Sequence, residues 1–330
     1  MRLPKLTYLE PRTIDELMEI KDEFGEKCAI LAGGTDLIPR LKRHNLATRH
    51  LINIKRIPEL TEITYDRERG LRIGPAATLR KIIDHSMISN YYPLLVKAAH
   101  SVAFNQVRNM GTLGGNIILD TKCPYYNQSK FWWKSRPDCF KRGGVTCYAV
   151  KGGKKCFSLF SADTASALIT LEAELIITSA TGERCTPLES FYTGDGRRPH
   201  KLNENEVVTC ILIRQPAQEW KEGFLKKCHR GSVDYPIANL SVRLKMDGQV
   251  LEDIKIALSG VSSKPIRAKE AERYMIGKKI NEEVLTEALR ILLKEATPLS
   301  LIGTSAFIRR KMIEAMFADL LKMLTRDGLS

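Results

Sequence analysis

The sequence predicts an α+β protein built from two or three units, and three observations along its 330 residues carry that prediction. Near the N-terminus, a helix pattern, an apolar strand, a glycine turn and a second strand follow one another. The middle of the chain mixes strand and helix patterns without a fixed order. After about Glu219, paired strands are followed by amphipathic helices, which is typical of a separate α+β domain.

The first unit, residues 1–56, is predicted to be a small α/β subdomain. Thr13 begins a helix through a capping box with the glutamate three residues later. Residues 28–31 read as a short buried strand that ends in glycines, and residues 50–54 read as a second strand.

The second unit, residues 57–218, is predicted to be an α+β subdomain. A strand is expected near residues 71–73, and Thr78 can cap a helix that follows it. Residues 166–191 alternate like two strands paired around a turn, and residues 206–213 look like one more strand.

The third unit, residues 219–330, is predicted to be a compact α+β domain with a three-stranded sheet. An Asp-Gly turn at 247–248 joins two of its strands. Amphipathic helices are expected at 267–277, 281–296 and 305–324.

The charge of the chain is concentrated in one segment. The net charge is +14, and residues 121–158 hold nine Lys or Arg against one Asp, so they contribute +8 of it. Basic residues among aromatics can mark a platform for single-stranded nucleic acid. That interpretation leaves four cysteines in the same segment unexplained, so we expect no nucleic-acid partner.

We expect no membrane-spanning segment and no membrane partner. No apolar run reaches the roughly 18 residues of a spanning helix, and the N-terminal sequence lacks the apolar core of a signal peptide. We therefore expect a cytoplasmic protein, in which the eight cysteines are thiols, metal ligands or redox groups.

Two glycine turns are candidates for holding a phosphate group: "LAGGTD" at 31–36 and "GTLGGN" at 111–116. A pyrophosphate needs backbone N–H groups at close range, and side chains obstruct that approach. Either turn alone is better explained as a merely structural tight turn. The patterns of the Rossmann fold and the P-loop are both absent.

Taken together, five segments resemble the FAD-binding medium subunits of the molybdenum hydroxylase (xanthine oxidase) family. They are "ILAGGTDLIPRLK", "HLINIKRIPEL", "LRIGPAATL", "SVAFNQVRNMGTLGGNI" and "ALSGVSSKPIRAKEAE". The resemblance covers almost the whole chain. It implies a two-subdomain FAD-binding domain of the vanillyl-alcohol-oxidase/CO-dehydrogenase flavoprotein type, followed by an α+β C-terminal domain.

The resemblance also implies which residues hold FAD and which subunits are partners. One of these residues is a lysine near the flavin ring, assigned to Lys226 with its neighbour Lys227 as the alternative. The expected partners are a large subunit with the molybdopterin cofactor and a small subunit with 2Fe–2S clusters, in an (αβγ)2 assembly. The implied FAD-binding residues are Leu31, Ala32, Gly33, Gly34, Thr35, Asp36, Leu37, Val102, Thr112, Gly114, Gly115, Asn116, Asp120, Asp163 and Lys226.

The segment 121–158 lengthens the connection between the second glycine turn and Asp163. It carries Cys123, Cys139, Cys147 and Cys156, which is half of the cysteines in the chain. A loop of this length needs something to organise it, and a metal centre can do so. Four thiolates suit zinc or an iron–sulfur cluster, but intervals of 15, 7 and 8 residues match neither pattern well.

This insertion is similar to that of the 4-hydroxybenzoyl-CoA reductase β subunits within the family. The similarity implies that the four loop cysteines bind a 4Fe–4S cluster and that electrons pass from it to FAD, then to 2Fe–2S clusters and molybdenum in the partner subunits. The reaction of such a complex is reductive removal of the phenolic hydroxyl of 4-hydroxybenzoyl-CoA. No catalytic residue is then expected in this chain.

The surroundings of the four cysteines suit such a role. The basic side chains can offset the negative charge of a cluster, and eight aromatic side chains can shield it from water. An acidic ferredoxin is the expected electron donor, because a basic loop attracts an acidic partner. The aromatic residues are Tyr125, Tyr126, Phe131, Trp132, Trp133, Phe140, Tyr148 and Phe157.

Two other functions remain open. The chain could be the FAD subunit of another molybdenum hydroxylase that acts on a different aromatic or thioester substrate. It could also be a zinc-stapled basic binding module whose glycine turns are only structural. Elsewhere, we predict a structural role for Arg108 and a solvated helix face for Arg309, Arg310 and Lys311.

Overall fold

The computed structural model describes residues 3–214, 220–231 and 233–325. In these ranges the chain forms three sheets, each packed against helices. None of the described helices is both long and apolar enough to span a bilayer.

The N-terminal sheet has three parallel strands in the order β1-β3-β2. Thr13 caps the first helix, since its Oγ1 accepts a hydrogen bond from the Glu16 N–H at 3.1 Å. The helix buries Leu17 against the sheet, and this face holds the small N-terminal core. The elements are β1 (Thr7–Leu9), α1 (Ile14–Phe24), β2 (Cys28–Leu31), α2 (Leu37–Lys42) and β3 (His50–Asn53).

The middle sheet has five antiparallel strands in the order β4-β5-β8-β6-β7. Helices cover it and enclose the largest apolar core of the chain. Its strands are β4 (Ile63–Asp66), β5 (Gly70–Ile73), β6 (Glu174–Ser179), β7 (Gly182–Pro187) and β8 (Val207–Ile213). Its helices are α3 (Leu79–Asp84), α4 (Ser86–Tyr91), α5 (Pro93–His100), α6 (Asn105–Met110), α7 (Leu113–Ile117), α8 (Lys130–Trp133), α9 (Thr164–Thr170) and α10 (Leu188–Phe191).

The prediction of a strand over the first part of 166–191 was wrong. Residues 164–170 form α9, and all seven of its residues are buried. A helix that is buried all round shows no amphipathic period, so a short apolar run of this kind is easily taken for a strand. The paired strands of this region are β6 and β7, as predicted.

The C-terminal sheet has four antiparallel strands in the order β12-β11-β10-β9, rather than the three that we predicted. The additional strand, β12, is only two residues long, which is too short for a sequence pattern. The predicted boundary at 218/219 lies outside the described residues, and the boundary at 56/57 remains a prediction. The elements are β9 (Lys221–Lys227), β10 (Ala238–Asp247), β11 (Val250–Ser259), β12 (Ile266–Arg267), α11 (Lys269–Met275), α12 (Glu282–Ala296) and α13 (Ala306–Thr325).

The prediction that three basic side chains of α13 are solvated is wrong for one of them. Arg309 is only 4% exposed, while Arg310 and Lys311 are exposed. Its guanidinium donates to the carbonyl oxygens of Leu299 at 2.9 Å, Gly260 at 2.6 Å and Ile237. Burial lowers the pKa of Arg309 to about 10. The side chain therefore fastens α13 to three loops of the C-terminal domain.

Candidate flavin cavity and cysteine pocket

The two glycine turns are in backbone contact with each other. A Cβ atom added to Gly33 of the first turn would overlap the carbonyl oxygen of Met110 and lie 2.8 Å from Gly111 Cα in the second. A Cβ atom on Gly114 would lie 2.6 Å from the carbonyl oxygen of Pro75. These glycines therefore allow backbone to pack on backbone, in addition to any approach by a ligand.

A cavity of about 500 Å³ opens where the two turns meet. Its volume lies within the range of roughly 300–1,000 Å³ that is typical of sites for small ligands and cofactors. Most of the residues that the family resemblance implied for FAD line its wall. These residues are Ala32, Gly33, Gly34, Thr35, Asp36, Leu37, Val102, Thr112, Gly114, Gly115, Asn116 and Asp163.

Three of the predicted residues lie behind the wall: Leu31, Asp120 and Lys226. Lys226 Nζ donates to Asp163 Oδ2 at 2.7 Å and to the Ser101 carbonyl at 2.9 Å, whereas Lys227 is exposed. Lys226 is thus the lysine that orients Asp163 and the start of the wall segment 101–105.

Asp163 is a buried carboxyl group at the wall of the cavity, with 3% of its surface exposed. Asn239 Nδ2 donates to its Oδ1 at 3.1 Å, so both oxygens have a donor. Burial raises the pKa of Asp163 to about 6, although Lys226 and Asn239 favour the charged form. The carboxylate is therefore ionised and fixed in direction at neutral pH.

Arg108 supports the strained part of the wall. Its guanidinium donates to the carbonyls of Val102 at 2.8 Å and Ala103 at 3.0 Å, and to Asn105 Oδ1 at 2.6 Å. Ala103 has a φ of +43°, a left-handed conformation that non-glycine residues seldom adopt. The structural role predicted for Arg108 thus takes the form of holding this segment at the cavity.

The sequence analysis missed other residues of the wall. Arg40, Glu206 and Tyr235 all line the cavity. They are separated from the glycine turns in sequence, and an arginine on a short helix such as α2 reads as a surface residue. They reach the cavity because the fold brings three distant segments of the chain together, which a sequence pattern does not show.

The four cysteines of the insertion line one small cavity, together with Tyr125, Tyr126, Phe140, Lys141 and Tyr148. We name it the cysteine pocket. It measures about 10 Å³, so the loop must open to admit more than roughly one water molecule. Burial raises the pKa of Cys123 to about 11 and also raises that of Cys156. Burial therefore favours the protonated form of these two thiols.

The side chains around the pocket do not surround a ready-made position for a metal ion. Thiolates around one tetrahedral zinc lie about 3.8 Å apart, given Zn–S bonds of about 2.3 Å. In the described ranges, no group of three or more His, Cys, Asp or Glu side chains is placed to hold a metal ion. Four thiolates suit zinc or an iron–sulfur cluster by their chemistry, and either group would require the cysteine side chains to move.

Basic side chains organise the insertion by lying over its aromatic rings. The Arg136 guanidinium lies 4.2 Å from the Trp132 ring and 5.3 Å from the Tyr148 ring, and that of Arg142 lies 4.2 Å from the Trp133 ring. Such contacts hold cations against ring faces. The basic residues that we assigned to charge compensation therefore also build the loop.

Only half of the eight aromatic residues predicted to shield a cluster reach the cysteine pocket. Tyr125, Tyr126, Phe140 and Tyr148 line it. The other four lie outside its lining, and Phe131 is 86% exposed.

Ion pairs connect the insertion to the flavin cavity. Arg40 Nη2 lies 3.0 Å from Asp120 Oδ2, and Lys141 Nζ lies 2.6 Å from Asp120 Oδ1. Lys122, next to the first loop cysteine, pairs with Asp36 of the first glycine turn. Burial opposes ionisation of Asp120, but the neighbouring Lys141 and Arg40 lower its pKa. The carboxylate is therefore charged and paired on both sides.

Comparison with known proteins agrees with this architecture. The family model described as the FAD binding domain in molybdopterin dehydrogenase matches residues 4–216, and that of the CO dehydrogenase flavoprotein C-terminal domain matches residues 223–324. The glyceraldehyde dehydrogenase medium chain of Sulfolobus acidocaldarius is 27% identical over 313 residues, which is 95% of this chain and 96% of that protein. The carbon monoxide dehydrogenase medium chain of Hydrogenophaga pseudoflava is 27% identical and covers 86% of this chain and 85% of its own length.

Solved structures show the same fold. Carbon monoxide dehydrogenase from Hydrogenophaga pseudoflava superposes with a TM-score of 0.81 at 25% identity, over 98% of both chains. Quinoline 2-oxidoreductase from Pseudomonas putida 86 superposes with a TM-score of 0.79 over the whole of both chains. The chain belongs to the family of FAD-binding subunits of molybdenum hydroxylases, of the CO dehydrogenase medium-chain type.

Proposed function

We propose that this chain is the electron-transfer flavoprotein subunit of a molybdenum enzyme of the 4-hydroxybenzoyl-CoA reductase type, with one FAD and one 4Fe–4S cluster. The observation that carries the proposal is the convergence of the four inserted cysteines on one pocket, connected by ion pairs to the flavin cavity. Substrate chemistry then takes place on a partner subunit.

The proposed FAD site consists of the residues predicted above. The two glycine turns bring backbone close to the cavity, as a pyrophosphate requires. Arg40 adds a positive charge at the same wall. Lys226 orients the Asp163 carboxylate and donates to the Ser101 carbonyl. Arg108 donates to the next carbonyl, that of Val102, and so holds this part of the wall in place.

The proposed cluster ligands are Cys123, Cys139, Cys147 and Cys156. Together, FAD and an iron–sulfur cluster supply one- and two-electron redox chemistry without a catalytic side chain. Four thiolates suit either an iron–sulfur cluster or zinc; we propose the cluster because of the resemblance of the insertion and because a redox centre next to FAD can relay electrons.

The proposed partners follow from the names of the relatives. Several are called medium chains or FAD-binding subunits, which indicates assemblies with other chains. We propose a large subunit with molybdopterin and a small subunit with 2Fe–2S clusters, in an (αβγ)2 arrangement. The basic insertion suits an acidic ferredoxin as electron donor.

A second candidate function is that of the FAD subunit of a molybdenum hydroxylase with another substrate. It is favoured by the variety of the relatives, which include proteins named for glyceraldehyde, xanthine and nicotinate. Assay of the complex with reduced ferredoxin and 4-hydroxybenzoyl-CoA separates the two. Loss of the phenolic hydroxyl supports the first, whereas turnover of another aromatic or thioester substrate alone supports the second.

Metal and flavin analysis of the anaerobically purified chain tests the proposal at the level of this subunit. We expect one FAD, and about four iron and four sulfide ions, as in a 4Fe–4S cluster. Cys147→Ser should lose iron, and the matched change Cys228→Ser outside the insertion should not. Colourless protein that contains one zinc ion would overturn the proposal.

A further inference from the structure

A continuous polar chain runs from a cysteine of the insertion to the flavin cavity. Cys156 Sγ lies 3.2 Å from Ser158 Oγ, which lies 2.6 Å from Thr121 Oγ1. Lys141 Nζ donates to Thr121 Oγ1 at 2.6 Å and to Asp120 Oδ1 at 2.6 Å. Asp120 then pairs with Arg40, whose side chain lines the flavin cavity.

This chain is shielded from water along most of its length. Thr121 is fully buried, Ser158 is 1% exposed and Cys156 is 6% exposed. The Lys141 side chain is 5% exposed and that of Asp120 is 14% exposed. Charges in such surroundings are poorly screened, so a change of charge or position at one end alters the electrostatic energy at the other.

Lys141 connects the two sites, because it lines the cysteine pocket and pairs with Asp120, which in turn pairs with Arg40 of the flavin cavity. It lines the cysteine pocket two residues after Cys139, and the turn there is held by hydrogen bonds from Phe140 N to Thr146 O and from Gly144 N to Cys139 O. Its ammonium group also donates to the Gly196 carbonyl at 2.8 Å. A ligand that holds Cys139 in place would therefore also restrain Lys141, whose positive charge offsets the negative charge of Asp120.

A second ion pair ties the same two regions together. Lys122 precedes Cys123 directly and pairs with Asp36, which lines the flavin cavity and lies 3.8 Å from Arg40. A ligand bound by Cys123 would therefore restrain Lys122 at the first glycine turn. If the cysteine pocket loses its ligand, both lysines lose part of their support, and Asp120 and Asp36 draw Arg40 more strongly.

We propose that Lys141 is a positioning residue that couples the cysteine pocket to the flavin cavity, so that a filled pocket strengthens the binding of FAD. This inference rests on the proposed function. Coupling between two sites in one protein is typically 5- to 150-fold in affinity and is reciprocal. We expect an effect of about tenfold here, because the path passes through one buried lysine.

The test measures FAD affinity in the full-length chain with the pocket loaded with iron and sulfide, and again after iron has been stripped by a chelator. Flavin fluorescence titration gives the dissociation constant. In the unaltered chain, stripping should weaken FAD binding about tenfold. In Lys141→Met, FAD should bind weakly and equally in both forms. A change that merely damaged the cavity would lower both affinities and leave their ratio unchanged.

Two further variants complete the design. Lys154→Met changes an exposed lysine of the same insertion and should retain the full coupling. Ser158→Ala interrupts the path without changing its charge, and should reduce the coupling while iron is retained. If circular dichroism shows that Lys141→Met does not fold, the result for Ser158→Ala decides.

The inference is overturned if stripping leaves the affinity of the unaltered chain for FAD unchanged, or if the coupling persists in folded Lys141→Met or, where that variant does not fold, in Ser158→Ala. A chain that binds no FAD or no iron would instead contradict the proposed function. The two failures are therefore distinguishable.

Discussion

The flavin cavity and the cysteine pocket are built on different physical principles. The cavity lies between sheets and helices that bury large apolar cores, and backbone contacts between the glycine turns fix its shape. The cysteine pocket lies in a long insertion whose helices are the four-residue α8 and a single 3-10 turn at Phe140–Arg142. Cations over aromatic rings and ion pairs supply many of its contacts. The first site is formed by the fold, whereas on the proposed function the second would be ordered by the cluster that it binds.

The largest effect should come from breaking the contact between the glycine turns. In Gly33→Ala the new methyl group would overlap backbone rather than a flexible side chain, so the turns must separate. We expect loss of bound FAD and a fall of several kcal/mol in the free energy of unfolding, as for other severe packing changes. Urea unfolding and flavin content measure both.

The matched control for that change is Gly231→Ala, because a Cβ atom there meets nothing within 4 Å. Its stability and flavin content should match those of the unaltered chain. Full flavin occupancy in Gly33→Ala would show that the glycine turns do not form the cavity as described.

Removing one pocket cysteine should affect the cysteine pocket far more than the flavin cavity. Cys139→Ser should abolish the cluster and loosen the insertion, yet FAD should remain bound with about tenfold lower affinity, within the usual range of coupling between sites. The cavity survives because its core lies in other elements. Iron analysis and flavin titration check the two parts, with the exposed Cys185→Ser as control. Complete loss of FAD would mean that the insertion is part of the flavin site itself.

A pH titration tests the buried carboxyl of the cavity. Burial raises the pKa of Asp163 in the folded chain to about 6, above its ordinary value near 3.8. Below about pH 4 the group is protonated in both states. Between about pH 4 and pH 6 the folded chain binds more protons, so the contribution of this group to the unfolding free energy falls as the pH rises, by about 3 kcal/mol at most.

Comparison with Asp163→Asn isolates that contribution. The difference in unfolding free energy between the two proteins should change across this pH window and be flat below it. In Lys226→Met, loss of the cation should move the window to higher pH, because Lys226 favours the charged form. A difference that does not vary with pH would contradict the assignment of the buried ion pair.

The smallest effect should come from the cation–π contacts of the insertion. Arg136→Met removes a guanidinium that lies over three rings, those of Tyr125, Trp132 and Tyr148. Each contact is worth about 0.5–1 kcal/mol at exposed sites, so hydrogen exchange should quicken in the insertion and stay unchanged around the cavity. Lys151→Met, at an exposed position of the insertion, is the control. Equal exchange in both variants would show that these contacts do not order the loop.

The sequence predicted the flavin cavity better than its surroundings, for a physical reason. Glycine turns such as the one at Gly33 leave a local signature, because close backbone contact tolerates no side chain. The four cysteines likewise marked the second site through their clustering. The helix Thr164–Thr170 escaped because a wholly buried helix has no polar face to show its period.

Residues that act through long-range contacts could not be predicted. Lys141 looked like one basic residue among nine, and Arg309 like part of a solvated cluster. Their roles come from partners far away in sequence: Asp120 and Gly196 for Lys141, and Gly260 for Arg309. A charge pattern reports composition, but it does not report which carbonyl or carboxylate the fold places beside it.

The most direct test of the account is low-temperature electron paramagnetic resonance of the anaerobically purified, dithionite-reduced chain, with iron and sulfide measured on the same sample. We expect the signal of one reduced 4Fe–4S cluster per FAD in the unaltered chain and in Cys185→Ser, and no such signal in Cys139→Ser. Flavin-containing protein that shows no cluster signal, and no iron above that of Cys139→Ser, would contradict it.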